Sequence, residues 1–187
     1  MTNTLTQRLN LIKPTPGTQD PVEVAELNTN ADLIDEWLVP ACKLRSIANQ
    51  TYTTGVTANV LYDTIAFDTW NGQAEGAMAD HLNERIIIRI AGLYLVTAAV
   101  VFAANATGSR VLNLLLNGGT QKRDAELGHA GANNVLACST LIPLDPGDFI
   151  NATASQASGG NLDILATGGS GDPDGVLLSA VWLGKKP

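Results

Sequence analysis

The sequence predicts a mainly β protein, an antiparallel β-sandwich preceded by one short N-terminal α-helix. Three observations carry this prediction. From Leu44 onward, short apolar segments follow one another with a period of two, as strands with one buried face do. Glycine, asparagine and aspartate break these segments at turn spacing. Only one stretch, near the N-terminus, repeats its apolar residues at a helical interval.

Residues 1 to 20 are polar and end in the turn-rich KPTPGTQDP, which predicts extended chain with neither strand nor helix. Asp20 can then cap a helix, Pro21 fits the first helical position, and Glu23 stands three residues after the cap, a capping-box arrangement. The predicted helix runs from Pro21 to Val39, because the residue before Pro40 avoids helical geometry. Within it Val24, Leu27, Ala31, Ile34 and Leu38 are spaced 3, 4, 3, 4, the a/d seam of a short coiled coil or three-helix cluster. Helices this short are marginal alone, so the seam predicts a partner: sister chains or a host surface, or else the chain's own domain. The expected organisation is an attachment segment, residues 1–40, and a head, residues 41–187.

The head is expected to hold ten strands, near Leu44 to Ala48, Tyr52 to Thr54, Asn59 to Leu61, Ile65 to Thr69, Arg85 to Ile88, Gly92 to Ala103, Arg110 to Leu116, Asn133 to Leu144, Phe149 to Ala154 and Val176 to Trp182. Three turns anchor them: Asn117-Gly118, a strong hairpin signal; Asp145-Pro146-Gly147-Asp148; and the glycine-rich Gly168 to Gly175. No fixed-period repeat supports a solenoid or propeller.

Composition limits the function classes. Only 16 % of residues are charged, against about 25 % in an ordinary soluble domain, so much surface is expected to be neutral or buried between chains. A net charge of −7 with 11 Lys+Arg and no basic patch argues against nucleic-acid binding. The apolar run Leu93 to Ala104 falls short of the roughly 20 residues that span a bilayer. The N-terminus lacks the apolar core of a secretory signal. Together these predict a protein soluble as made, with no membrane insertion. Cys42 and Cys138 lack a metal or disulfide spacing and are expected to be buried free thiols.

Candidate chemistry is thin. His81 and His129 each stand alone, with no HExxH spacing. Ser109 and Ser170 read as turn residues, outside any G-x-S-x-G elbow. No phosphate-cradling Gly-Lys-Ser/Thr occurs. No catalytic residue or cofactor-binding residue is therefore assigned. Asp172 and Asp174, with Asp163, are the weak calcium candidates, set against a plain solvated acidic turn. Trp70 and Asn71 form a candidate surface-contact loop, because a Trp among polar loop residues suits a carbohydrate or protein contact; a Trp closing the end of the sandwich reads the same in sequence.

Beyond these residue-level readings, the series IIIRIAGLYLVTAAVVFAA, VLNLLLNGG, LACSTLIPLDPGDFINATAS and GVLLSAVWLG resembles the globular head of complement component 1q and the related tumour-necrosis-factor superfamily. The resemblance rests on Gly92-Leu93-Tyr94, on the turn formed by Leu144, Gly147 and Asp148, and on Trp182 shortly before the C-terminus. It covers roughly residues 44 to 184 and implies a jelly roll that forms a homotrimer, in some members with calcium near the apex. This chain departs from it in having only three Phe and three Tyr. No collagen-like repeat precedes the head.

The run NLIKPTPGTQDPVEVAELNTNADLIDEWL resembles the start of many tail-fibre and minor tail proteins of tailed bacteriophages, through Leu27-Asn28, Asn30, Asp32 and Ile34-Asp35. That resemblance implies a virion location, on the tail, fibre or capsid exterior, after synthesis in the host cytoplasm. Partners would be other virion structural proteins, bound through residues 1–40, and a host surface glycan or protein met by the head with the avidity of three copies. Two further readings stand beside it: a bacterial secreted lectin-like head, and a polysaccharide hydrolase on the same scaffold, which would need clustered carboxylates in a cleft.

Overall fold

A computed structural model describes residues 39–167 and 174–187, together with two short strands, β1 (Thr4–Leu5) and β2 (Ile12–Lys13). The chain divides into two units, Met1–Leu38 and Val39–Pro187. In the first, β1 and β2 pair antiparallel, Thr4 opposite Lys13 and Leu5 opposite Ile12. This corrects the expectation of strandless extended chain: a pair this short leaves no alternation to read. The predicted helix Pro21–Val39, its seam Val24, Leu27, Ala31, Ile34 and Leu38, and Asp172 lie outside the described residues, apart from Val39, which has no helical structure.

The second unit is a sandwich of two antiparallel sheets. Its strands are β3 (Ala41–Arg45), β4 (Gln50–Tyr52), β5 (Ala58–Asn59), β6 (Thr64–Asp68), β7 (Ala79–Asp80), β8 (Arg85–Ile87), β9 (Gly92–Phe102), β10 (Ser109–Leu116), β11 (Gly119–Leu127), β12 (Asn134–Leu144), β13 (Phe149–Gln156), β14 (Leu162–Ile164) and β15 (Val176–Gly184). One sheet runs β11-β10-β13-β8-β7, with β5 also on β13. The other runs β4-β14-β9-β15-β3-β6, with β12 along the second edge of β9.

Period two does what the sequence requires of it. Tyr94, Val96, Ala98, Val100 and Phe102 of β9 meet Leu112 and Leu114 of β10, Leu136 of β12, Ile150 of β13 and Leu178 of β15 in one core, each at most 2 % exposed. Burying a side chain of this size contributes about 1.5–3 kcal/mol. Both thiols belong to this core, unpaired, and burial pushes both upward in pKa, so neither is a nucleophile at neutral pH.

Three strands escape the sequence reading. β7 and β14 are two and three residues long. β11, GTQKRDAEL, is exposed along most of its length and has no apolar face to announce it. The expected strand Leu44 to Ala48 is displaced to Ala41–Arg45 because Asp63 draws the chain out of the sheet: its carboxylate accepts from Ile47 N at 2.9 Å and Ser46 Oγ at 3.2 Å. The expected strand Tyr52 to Thr54 is likewise Gln50–Tyr52, ending before the turn at Gly55, φ +74°.

Two turns brace each other at one end. Asn117 and Gly118 take φ +50° and +81°, the left-handed pair that a two-residue hairpin demands. Asn117 Nδ2 then donates to Asp148 Oδ1 at 2.9 Å, and Asn117 Oδ1 accepts from Phe149 N at 3.0 Å. Asp148 also accepts from Asp145 N at 2.8 Å. Arg110, fully buried, donates from Nη1 to the carbonyls of Thr107 and Ser109 and from Nη2 to that of Asn105, tying down the turn before β10.

Candidate interaction face

Alternation leaves β9, β12 and β15 a second face, and its composition is unusual. Register sets the outward residues in rungs across the sheet. Pro143 lies beside Leu93; Leu141 beside Leu95, Val181 and Ala41; Ser139 beside Thr97, Ser179 and Lys43; Ala137 beside Ala99, Leu177 and Arg45; Val135 beside Val101. None of β9, β12 and β15 contains a charged residue. Leu141 is 58 % exposed, Val135 57 % and Leu95 38 %.

The middle rung is hydroxylic: Thr97 Oγ1 and Ser139 Oγ are 3.0 Å apart, and Ser139 Oγ donates to Val96 O at 3.3 Å. Lys43 continues that rung and pairs with Asp174. Phe67 of the edge strand β6 stands opposite Lys43, 44 % exposed. Apolar residues thus occupy the rungs on both sides of the hydroxyls, cation-bearing β3 flanks them, and β12 closes the other margin. There Asp124 of β11 accepts from Ala137 N at 2.9 Å, which occupies part of the free edge of β12.

Among the described residues, those singled out from sequence do not converge on this face. Trp70 is partly buried against the core, with Nε1 enclosed and its backbone N donating to Asp68 Oδ1 at 2.9 Å. Asn71 beside it is exposed. Asp163 accepts from Thr51 Oγ1 at 2.7 Å, while Asp174 takes Lys43. His81 opens a single 3-10 turn, His81–Asn83, and His129 lies exposed in the loop after β11. No group of three or more His, Cys, Asp or Glu side chains able to hold a metal forms among the described residues.

A cleft of about 510 Å³ opens between β4 and β5. Its buried wall is already committed: Gln50 Nε2 donates to Leu61 O, Leu61 N donates to Gln50 Oε1, and Tyr52 OH donates to Asn59 O. Sequence reasoning missed the outward rungs, although a signal existed. In LYLVTAAVVF and VLACSTLIPL, the positions that should be polar on a solvated face are apolar or hydroxylic.

No family model and no curated protein matches the chain. Solved structures do match. The Eiger TNF of S. frugiperda superposes with a TM-score of 0.57 at 12 % identity, over 79 % of this chain and 94 % of its own. Murine APRIL at pH 5.0 gives 0.52 at 18 % identity, over 78 % and 99 %. The globular domain of the zebrafish complement 1qA protein gives 0.51 at 10 % identity, over 78 % and 98 %. At these identities the likeness is one of fold, and it shows that the head is a jelly roll of the tumour-necrosis-factor and complement 1q type.

Proposed function

We propose that the head is a non-enzymatic binding domain that works as a homotrimer through the outward face of β9, β12 and β15. We further propose that residues 1–38 fasten it to a bacteriophage virion, where it serves as a tail, fibre or capsid-decorating component that meets the host surface. The uncharged outward face carries this reading. A monomer would leave its Leu, Val and Pro rungs in water, a contiguous apolar surface of the kind that marks interaction sites. Phe67 ends the middle rung at the β6 margin, opposite the margin formed by β12, and contact between two such unlike margins closes into a ring when the rotation allows. The jelly-roll likeness supports the trimer. The virion placement is supported by the resemblance of residues 10–38 to phage tail proteins.

The test is sedimentation velocity on the full chain at micromolar concentration. The expected species is a trimer, and Leu141→Lys, which puts a cation among the apolar rungs, is expected to give a folded monomer. A wild-type monomer would overturn the reading. For the attachment segment, a chain lacking residues 1–38 should fold and trimerise yet be absent from assembled particles; its incorporation would refute that half.

A further inference from the structure

We propose that Asn71 is a site of spontaneous deamidation in the folded protein, while the chain's second Asn-Gly pair is held inert. The sequence contains two such pairs, Asn71-Gly72 and Asn117-Gly118. In each, the glycine has no Cβ to shield its backbone nitrogen, so both share the same intrinsic chemistry. The glycine nitrogen, giving up its proton to solvent, attacks the asparagine Cγ. The new C–N bond closes a five-membered succinimide, and the Cγ–Nδ2 bond breaks, Nδ2 leaving with a solvent proton as ammonia. Water then opens the ring: attack at Cγ yields aspartate, and attack at the main-chain carbonyl yields isoaspartate. One water is consumed, one ammonia is released, and no other reactant is needed.

The two sites differ in what holds the amide. Asn117 has both side-chain polar atoms engaged, Nδ2 on the Asp148 carboxylate at 2.9 Å and Oδ1 under Phe149 N at 3.0 Å. Its backbone N is also fixed, donating to Phe149 O at 2.9 Å. Turning Cγ onto Gly118 N requires both side-chain bonds to break, one of them charge-assisted. Losing them before reaction slows the step on the order of tenfold or more.

Asn71 is exposed, and neither its side chain nor the Gly72 amide makes a hydrogen bond among the described residues. Its own backbone N reaches Asp68 O only at 3.4 Å, and Gly72 sits at φ +95° with open space around it. The reaction adds a carboxylate to a chain of net charge −7 and, in the isoaspartyl product, a methylene to the main chain of the loop between β6 and β7. Trp70 next to it stays anchored through Asp68, so the loop surface ages while the core beneath it does not.

The experiment incubates the full-length protein at mildly alkaline pH for increasing times, digests it, and follows the two peptides by mass spectrometry. The expected result is a gain of one mass unit, with a separately eluting isoaspartyl form, in the Asn71 peptide well before the Asn117 peptide. In urea-unfolded chain both peptides should convert at similar rates, and in Asp148→Ala the Asn117 rate should rise toward that of Asn71. Equal rates at the two sites in folded protein, or an unreactive Asn71, would overturn the proposal. Asn71→Gln, which should leave the Asn71 peptide unchanged in mass, verifies the assignment; a gain that persists there overturns it.

Discussion

Gly92 lies where a single added methyl group has nowhere to go: a Cβ there would stand 1.9 Å from Trp182 Nε1 and 2.6 Å from Gly184 O. The indole packs where the side chain is missing, and Trp182 N holds Pro40 O at 2.8 Å. Gly92→Ala is therefore expected to destabilise the head by about 1–3 kcal/mol through overpacking, read as a lower melting temperature. Asp148 predicts a pH effect. The amide of Asp145 and the side chain of Asn117 hold its carboxyl below the ordinary range. A folded-state pKa below the unfolded value, about 3.9, contributes stability that is complete above that value and is lost as pH falls through the folded one. Wild type should lose denaturation free energy between roughly pH 4 and the lower folded value, and Asp148→Asn should flatten that slope. Equal slopes would show that the carboxylate is not the group responsible.

Among the elements, the hairpin β10–β11 divides what sequence reveals from what it hides. Asn117-Gly118 announces the turn, since few dipeptides tolerate two left-handed residues in succession. The strand after it is hidden, because β11 has Gln121, Lys122, Arg123, Asp124 and Glu126 where alternation would need apolar residues. Its partner β10 supplies the burial and the backbone register. The brace between this turn and the β12–β13 turn should appear as non-additivity. Asn117→Ala and Asp148→Ala, combined in a double-mutant cycle under chemical denaturation, are expected to show a coupling of roughly 0.5–3 kcal/mol. Additive losses would mean that the two turns fold independently.

For the whole molecule, the boundary between units carries a prediction. Thr69 Oγ1 donates to Val39 O at 2.7 Å and Trp182 N to Pro40 O, so residues 39 and 40 belong to the head although the sequence suggested a division after Pro40. A chain starting at Val39 should melt as the full-length head does, whereas one starting at Ala41 should melt lower, having lost both bonds. Calorimetry of the two truncations decides this. If they melt together, those contacts contribute nothing.

By itself the sequence determined the sandwich, most of its long strands and its tight turns, because period two, Asn-Gly and Pro-Gly are local facts of backbone sterics. It also held the uncharged composition of β9, β12 and β15. Only the tertiary structure decided which of their residues share a face, since the rungs arise from register between strands far apart in sequence, as at Thr97 and Ser179 with Lys43. Packing of the turn after β6 likewise separates Trp70, partly buried against the core, from Asn71 in solvent one residue later.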